Sequence, residues 1–537
     1  MTTSTFRADL LAGATVALVA LPQCLAYATI AGLPPAYGLT TAVVPGLVAS
    51  LVGRSRNVTT GPTNTTGVLV LAALVPYLGA NGVLQPAGLG WLATLTLLCG
   101  VLRFAFAFAG GVILVRFIPE SVLAGFTVGV GVLIAAMQLD EALGLPAVSA
   151  AGLVTEYRGL ADLLAAGTRP SILSIVVTLA CVAGVAAGQW RWRRLPAALL
   201  AVAGAALVAW AAQLDAAAGL PLIGDRANVS GGWPPGALPD LRPAVIVSLL
   251  PAAAAMVLLG TLELLVSVRA DQSRPAMRRE IVAQGAANVA GAFASAFPAS
   301  ASLTRSTLLR SSGPHSRAAG ALSALLMLPV LLFGSGVLAY IPQAALAGVL
   351  LTIAASMVRQ PALARMWRAS IVSRLLLVVT TLSTLVAPLH WAVFVGAGLG
   401  LLIHLARTTA PRVRALTFRD DRLVPVAPGD DPAVVVLEVS GAVHYAAVDA
   451  LLEDAERQLP PASRLVIMDL SHAHELRFTG LRALEWWAAD LDRRGIRLRL
   501  AGVTPDVRQM LEGAATRIPY TMWDHEPGKS AWKAVHT

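Results

Sequence analysis

Two polar stretches interrupt the apolar sequence of this chain, and both contain the residue types of a short helix that begins at a backbone break. The first stretch, at 56–70, is RNVTTGPTNTTGVLV, and the second, at 298–313, is PASASLTRSTLLRSSG. The free N–H groups and the positive dipole end of such a helix start favour anions. In a membrane, an interrupted backbone persists only where protein buries it or where it lines a wet cavity. We therefore predict an anion site between the two helix starts.

Small hydrogen-bonding side chains stand at both starts. Gly61-Pro62 puts proline in the first turn and leaves Thr63–Thr65 at the opening. In the second stretch hydroxyl residues alternate with apolar ones around Arg305, namely Ser300, Ser302, Thr304 and Ser306. The alternative interpretation is that small residues at these positions only let helices pack closely.

Two charged residues belong to the same region of the predicted site. A buried arginine in a membrane pairs, snorkels or faces water, so Arg305 is predicted to be a fixed positive charge that attracts the anion. The alternative is that it snorkels to the inner surface with Arg310. Glu263 is the one carboxylate inside the apolar run 244–268, which makes it a candidate for proton relay or ion binding. The alternative for Glu263 is a structural ion pair with Arg305 or Arg269.

Gln23 and Tyr27 lie one turn apart in the first apolar run, just after Pro22, which kinks the helix. This spacing places both polar side chains on one helix face. There they either line a cavity or form an interhelical hydrogen bond.

The composition is that of a membrane protein. Of the 537 residues, 56% are hydrophobic and 13% are charged, whereas soluble proteins carry about a quarter charged residues. The net charge of +10 would suggest a nucleic-acid partner in a soluble protein. Here the arginines lie between apolar runs, where they set topology, so we expect no nucleic-acid partner. The three cysteines show no metal motif, and no catalytic cluster stands out, so we expect no metal, no cofactor and no enzymatic activity.

Apolar runs near 20 residues recur along the chain and are long enough to cross a bilayer. We predict fourteen spans, at 10–30, 37–53, 61–76, 89–109, 119–139, 171–189, 195–213, 244–268, 280–297, 302–313, 318–335, 338–357, 374–388 and 390–406. With the N-terminus inside, nearly all arginines fall in inner loops, among them Arg54, Arg56, Arg103 and Arg116. Both termini are therefore predicted to be cytoplasmic, in a multi-pass protein of the inner (plasma) membrane.

Fourteen spans divide into two halves of seven, and because seven is odd the second half is inverted relative to the first. The two broken helices are then third in each half. Paired broken helices in corresponding positions are the best sequence pointer to a transporter's binding site. The predicted fold is thus an α-helical polytopic membrane protein built as a seven-plus-seven inverted repeat.

The composition changes after Arg407, and this change predicts the domain boundaries. We predict a transmembrane transport domain at 1–410, a basic linker at 411–430 and a small cytoplasmic α/β domain at 431–530. In the last, strands at 433–439, 464–469 and 496–501 alternate with helices at 445–457, 479–494 and 505–512. Its histidines at 444, 472 and 474 lack metal-binding spacing.

Several longer motifs resemble a known family. They are LVALPQCLAYATIAGLPPAYGL at 18–39, GPTNTTGVLV at 61–70, ESVLAGFTVGVGV at 120–132, LELLVSVRA at 262–270 and REIVAQGAANVAGAFASAFPASASLTRSTL at 279–308. On these motifs the chain resembles the sulfate permease family, also called solute carrier family 26, nearly end to end. The motif MDLSHAHELRFTGLRALEWW at 468–487 is similar to that family's STAS domain, which anti-sigma factor antagonists share.

The resemblance implies core and gate subdomains, an anion site between the third and tenth spans, elevator-like motion and, usually, a homodimer. It also matches Glu263 to an acidic position of the eighth span that is linked to a coupling proton or sodium ion. Carried over by motif, the residues that line the anion site are Gln23, Tyr27, Thr63, Asn64, Thr65, Ala301, Ser302, Leu303, Thr304 and Arg305.

The chain departs from the family pattern in a few places. The usual second tyrosine after YGL is Thr40, and alanine replaces the glycine before the serine of the tenth-span motif, which would change the pocket width. In the STAS motif Arg477 stands for the usual aspartate and Thr479 for serine, which argues against phosphoregulation there.

These features predict a secondary active transporter of a small anion, with sulfate as the family default. Glu263 favours proton symport because no second carboxylate lies nearby. The alternatives are sodium-coupled bicarbonate transport, dicarboxylate transport, anion exchange and a passive anion channel. A different class, a membrane-anchored signalling protein that acts through its STAS-like domain, would be distinguished by truncation after residue 410.

Overall fold

The chain forms two compact units, residues 1–400 and 401–537. The computed structural model describes residues 3–79, 82–110, 118–146, 148, 153–191, 196–226, 232–269, 277–408, 412–419, 422–427, 429–443, 447–474, 476, 478–522, 524 and 529–536. Arg477, His444 and the predicted inner-loop residue Arg116 lie outside these residues.

The first unit is helical, apart from two strands of two residues each. Its elements are α1 (Thr3–Ile30), α2 (Pro35–Val52), β1 (Thr60–Gly61), α3 (Asn64–Leu74), α4 (Leu89–Phe108), α5 (Glu120–Met137), α6 (Leu139–Leu143), α7 (Leu153–Ala165), α8 (Ile172–Arg191), α9 (Ala197–Ala211), α10 (Ile223–Arg226), α11 (Pro243–Arg269), α12 (Met277–Ala292), β2 (Ser300–Ala301), α13 (Leu303–Ser311), α14 (Ala318–Leu325), α15 (Leu328–Phe333), α16 (Ser335–Ala339), α17 (Gln343–Val358), α18 (Pro361–Ala369), α19 (Ile371–Val386) and α20 (Leu389–Thr408).

Each of the fourteen predicted apolar segments coincides with a helix or a pair of helices. In the described part of the chain, seven helices are long and apolar enough to cross a membrane, and five shorter apolar helices accompany them. Two predictions of extent need correction. The segment 318–335 is divided between α14 and α15, and the segment 280–297 stops being helical after Ala292.

Close backbone contacts fix α1 against the elements that carry the two helix starts. A Cβ on Gly38 of α2 would overlap the carbonyl of Cys24 in α1. A Cβ on Gly67 of α3 would lie 2.9 Å from the carbonyl oxygen of Tyr27. Because glycine has no Cβ, α2 and α3 both approach the α1 backbone, and Tyr27 therefore stands beside the start of α3.

The second unit contains a six-stranded mixed sheet. Its elements are β3 (Arg412–Arg419), β4 (Arg422–Pro425), β5 (Val434–Ala442), α21 (Val448–Arg457), β6 (Leu465–His474), α22 (Phe478–Arg493), β7 (Arg497–Val503), α23 (Pro505–Gly513), β8 (Tyr520–Met522) and α24 (Lys529–His536). The strand order is β4-β3-β5-β6-β7-β8, with β5 to β8 parallel and β3 antiparallel to both neighbours. The three predicted strands are present, whereas the segment 411–430, predicted as a linker, contains β3 and β4.

Candidate functional site

The two polar stretches lie side by side. Strand β1 pairs with β2 in an antiparallel ladder in which Thr60 stands opposite Ala301. The ladder is extended by the amide of Ser302, which donates to the carbonyl oxygen of Thr59 at 2.9 Å. Each strand leads within two residues into a short helix, α3 or α13. The structure therefore brings together the two helix starts that the sequence pairs.

The start of α3 is held by a capping box. The Thr63 hydroxyl accepts from the amide of Thr66 at 3.2 Å, and the Thr66 hydroxyl accepts from the amide of Thr63 at 3.1 Å. This reciprocal arrangement satisfies two backbone donors of the helix start. The amides of Asn64 and Thr65, the first two residues of the helix, belong to the donors that a helix leaves without an internal partner.

The start of α13 is built in a similar way. Ser302 is the N-cap, and its hydroxyl accepts from the amide of Arg305 at 3.4 Å. The amides of Leu303 and Thr304 are the corresponding donors without a partner inside the helix. Two helix starts thus present four such amides to one region.

A cavity of about 400 Å³ lies at these two starts. Nine of the eleven residues predicted for substrate binding or ion coupling line it, and they are Tyr27, Thr63, Asn64, Thr65, Glu263, Ala301, Ser302, Leu303 and Thr304. The opposite wall comes from α5 and α17 and includes Thr127, Ser356 and Met357, with Glu120 and Gln360 also on the lining. Sequence reasoning did not single out Thr127, Ser356 or Met357, because apolar helices with isolated polar residues are common throughout the chain.

Glu263 connects the two helix starts. Its Oε1 accepts from the Thr65 hydroxyl at 2.5 Å, and its Oε2 accepts from the Ser300 hydroxyl at 2.9 Å. One hydroxyl belongs to α3 and the other to β2, so a single carboxylate bridges both halves of the repeat. These hydroxyl bonds replace the ion pair with Arg305 that the sequence left open as an alternative.

Arg305 is placed differently from its prediction. Its side chain is 2% exposed; Nη2 donates to the Pro62 carbonyl at 2.8 Å and Nη1 to Cys24 Sγ at 3.4 Å. It lies behind the strand ladder instead of lining the 400 Å³ cavity. The snorkelling alternative also fails, because these bonds hold the guanidinium inside the protein. Gln23 is half-buried and likewise does not line this cavity.

Arg103 was missed as a buried residue and assigned to an inner loop from its charge. It lies within α4, is 2% exposed, and donates from Nη1 to Gln284 Oε1 at 2.9 Å. Gln284 in turn donates from Nε2 to the Thr60 hydroxyl at 2.5 Å. The only sequence sign of this position was that Arg103 has apolar neighbours on both sides.

A helical bundle with two broken helices whose starts meet at an internal cavity defines a membrane transporter of the inverted-repeat type. Comparison with known families agrees, since the profile of the Sulfate permease family matches residues 6–380 and that of the STAS domain matches residues 425–516. The chain therefore belongs to the sulfate permease family and carries a C-terminal STAS domain.

Relatives and solved structures extend over most of the chain. The Probable sulfate transporter MT1781 of Mycobacterium tuberculosis is 28% identical over 530 residues, which is 95% of this chain and 91% of that protein. The murine Slc26a9 anion transporter in the inward-facing state has a TM-score of 0.83 and 18% identity, over 96% of this chain and 88% of that one. The transmembrane domain of the cyanobacterial bicarbonate transporter BicA has a TM-score of 0.62 and 22% identity, over 75% of this chain and 98% of that one. Both structural matches describe the fold.

Proposed function

We propose that this chain is a secondary active transporter that carries a small anion across the membrane, with sulfate as the first candidate. The observation that carries this proposal is the cavity where the starts of α3 and α13 meet. The probable sulfate transporter of Mycobacterium tuberculosis and the murine Slc26a9 anion transporter support the same class of substrate.

The hydrogen-bond donors around this cavity suit an oxyanion as the substrate. An oxyanion accepts hydrogen bonds, and the helix starts offer the amides of Asn64, Thr65, Leu303 and Thr304. The Ser302 hydroxyl accepts an amide proton as a cap and still has its own proton to donate. The positive dipole ends of both helices add to the attraction.

Glu263 is the proposed coupling group, and the ion that it couples to anion transport is a proton. It lies on the cavity lining and is hydrogen-bonded to residues of both polar stretches. A change in its charge therefore changes the electrostatic potential at both helix starts. A proton on Glu263 removes the negative charge nearest to the bound anion. Anion and proton therefore bind cooperatively, which is the requirement for symport.

Alternating access is proposed to occur by an elevator-like motion. The strand ladder, the Glu263 bonds and the bond from Gln284 to Thr60 join the two helix starts into one body. Between this body and α17 the structure shows a weak side-chain contact, from Asn64 Nδ2 to Met357 Sδ at 2.9 Å. Gln360 and Met366 on the cavity lining are next in sequence to Arg359 and Arg365, which the positive-inside rule assigns to the cytoplasmic side, and this supports a cavity that faces inward.

The same charge placement supports both termini in the cytoplasm, in a protein that we propose lies in the plasma (inner) membrane. The family resemblance further suggests a homodimer. Accessibility labelling of single cysteines placed near each terminus tests the sidedness, and the mass of the purified protein in nanodiscs tests the dimer.

Uptake into proteoliposomes tests the proposal. The full chain is reconstituted, and radiolabelled sulfate uptake is measured with and without an inward proton gradient. Proton-driven accumulation of sulfate above its external concentration supports the proposal and excludes a passive channel. Uptake that needs sodium, or that favours bicarbonate or a dicarboxylate, moves the substrate to those alternatives. If truncation after residue 410 leaves no uptake and full-length protein also shows none for any anion, a signalling protein is the better assignment.

A further inference from the structure

A second buried arginine stands behind the candidate site, and the function proposed above does not use it. Arg103 lies in α4, which packs against α11 and α12. Its guanidinium donates to the amide oxygen of Gln284 from one side, and its Nε has no partner in the described part of the chain. A charge this deeply buried requires a compensating charge nearby.

Gly260 shows where the other side of this guanidinium lies. A Cβ on Gly260 would overlap Nη2 of Arg103 and would lie 2.8 Å from Oγ of Ser300. The guanidinium and the Ser300 hydroxyl therefore share the space that the missing side chain leaves free. Ser300 donates to Glu263, which is three residues further along the same helix as Gly260. The Ser300 hydroxyl thus stands between a buried cation and a buried carboxylate.

Resting on the transport function proposed above, we propose that Arg103 is the internal counter-cation of Glu263 and thereby sets how many protons travel with each anion. Arg103 acts through Ser300 and Gln284 and has no contact with the cavity, so it is a positioning residue. When Glu263 is ionised, the positive charge of Arg103 balances its negative charge. The positive charge of Arg305 then remains, and it matches a monoanion. With Glu263 protonated, the two arginines balance a dianion such as sulfate.

The other groups around Glu263 leave this count unchanged. Tyr27 and Cys24 from α1 are residue types that are uncharged at neutral pH, and Glu120 lines the cavity from α5, on the opposite wall. Moving an unbalanced charge through the hydrocarbon region is costly. The charge count of the body that holds the anion therefore selects which combinations of anion and proton can move.

The test compares wild type with three variants of the full chain in proteoliposomes. Initial rates of radiolabelled sulfate uptake are measured against pH for wild type, Arg103→Gln, Arg103→Lys and Arg242→Gln. Without the counter-charge Glu263 accepts a proton more readily, so we expect the pH midpoint of uptake for Arg103→Gln to rise by about one unit. Arg103→Lys retains the charge and the wild-type midpoint. Arg242 is exposed and pairs with Asp240, so its loss leaves the profile unchanged.

A second measurement does not depend on transport. Infrared difference spectra follow the protonated carboxyl band that Glu263→Gln removes, and its pH midpoint should rise in Arg103→Gln as in the uptake assay. The same midpoint in Arg103→Gln and wild type, or an equal shift in Arg103→Lys and Arg103→Gln, would overturn the counter-cation role.

Misfolding of Arg103→Gln is also informative, because the double variant Arg103→Gln/Glu263→Gln removes both charges. Recovery of folded protein in the double variant supports the charge pair. If the double variant does not fold although Glu263→Gln alone does, Arg103 has a purely structural role and the proposal is overturned. Wild-type protein without any pH-dependent sulfate uptake counts against the proposed function, whereas an unshifted carboxyl band counts against Arg103 alone.

Discussion

Replacing Glu263 by glutamine separates the coupling of a proton from the binding of an anion. Glutamine has the shape of glutamate, and the two hydroxyls that bond to Glu263, at 2.5 Å and 2.9 Å, can act as donors or acceptors. The variant therefore retains both bonds in neutral form. A hydrogen bond to a charged group contributes about 1 kcal/mol more than a neutral one, so we expect the link between the two helix starts to weaken by about 2 kcal/mol.

The effect on transport is larger than this loss of stability. One pH unit corresponds to about 1.4 kcal/mol per proton, or about tenfold in concentration. With one proton per anion and the membrane potential clamped at zero, an inward gradient of one unit then supports about tenfold accumulation of sulfate. Because glutamine cannot be protonated in this range, accumulation in Glu263→Gln should fall to a ratio of about one. The amides of the helix starts remain, so sulfate should still stabilise the variant against thermal unfolding.

The assay is sulfate accumulation in proteoliposomes with potassium and valinomycin on both sides. Glu120→Gln is the matched control, since Glu120 is an exposed carboxylate on the lining of the same cavity. We expect it to retain the dependence on the proton gradient. Equal gradient-driven accumulation in Glu263→Gln and wild type would refute the assignment of Glu263 as the coupling group.

Three further predictions concern the residues around the site and one helix between two spans. Thr63→Ala should weaken the start of α3 by about 1 kcal/mol and lower sulfate affinity, while Thr63→Ser should behave as wild type in thermal-shift titrations. Arg305→Ala should weaken sulfate binding, because the Pro62 carbonyl loses its donor; equal affinity in the variant would exclude this role. In α7, burial raises the pKa of Glu156 from 4.5 to about 8. The folded protein then binds more protons than the unfolded chain between these values, so stability falls as pH rises from 4.5 to 8. Glu156→Gln should flatten this part of a plot of unfolding temperature against pH.

The sequence was sufficient to locate the fourteen apolar helical segments of the first unit and to pair the two broken ones. Apolar run length decides whether a segment can be a membrane helix, and this property is local. The strands β3 and β4 were missed because their stability comes from pairing with β5, which the local pattern of a basic, proline-containing segment does not reveal. The break between α14 and α15 lies in a continuous apolar run and was missed, although Pro329 in the first turn of α15 is a sign of a helix start.

The lining of the candidate site was predicted better than the placement of its arginines. Backbone amides at a helix start point along the helix axis, so the residues of the start fix where these donors lie. The direction of a long side chain depends on its partners. Arg305 turns towards the Pro62 carbonyl, and Arg103 turns towards Gln284, and neither partner could be identified without the fold.

This placement explains how a cavity whose charged lining is acidic can receive an anion. Within the described residues, the charged side chains on its lining are Glu263 and Glu120. In the proposed charge count Arg103 balances an ionised Glu263. The positive charge that attracts an anion then comes from Arg305, from the two helix starts, which contribute about half a charge each, and from a proton on Glu263. Since the arginine charges are fixed, the proton is the variable part of the proposed balance, and the proposed coupling of anion to proton rests on the positions of Arg103 and Arg305.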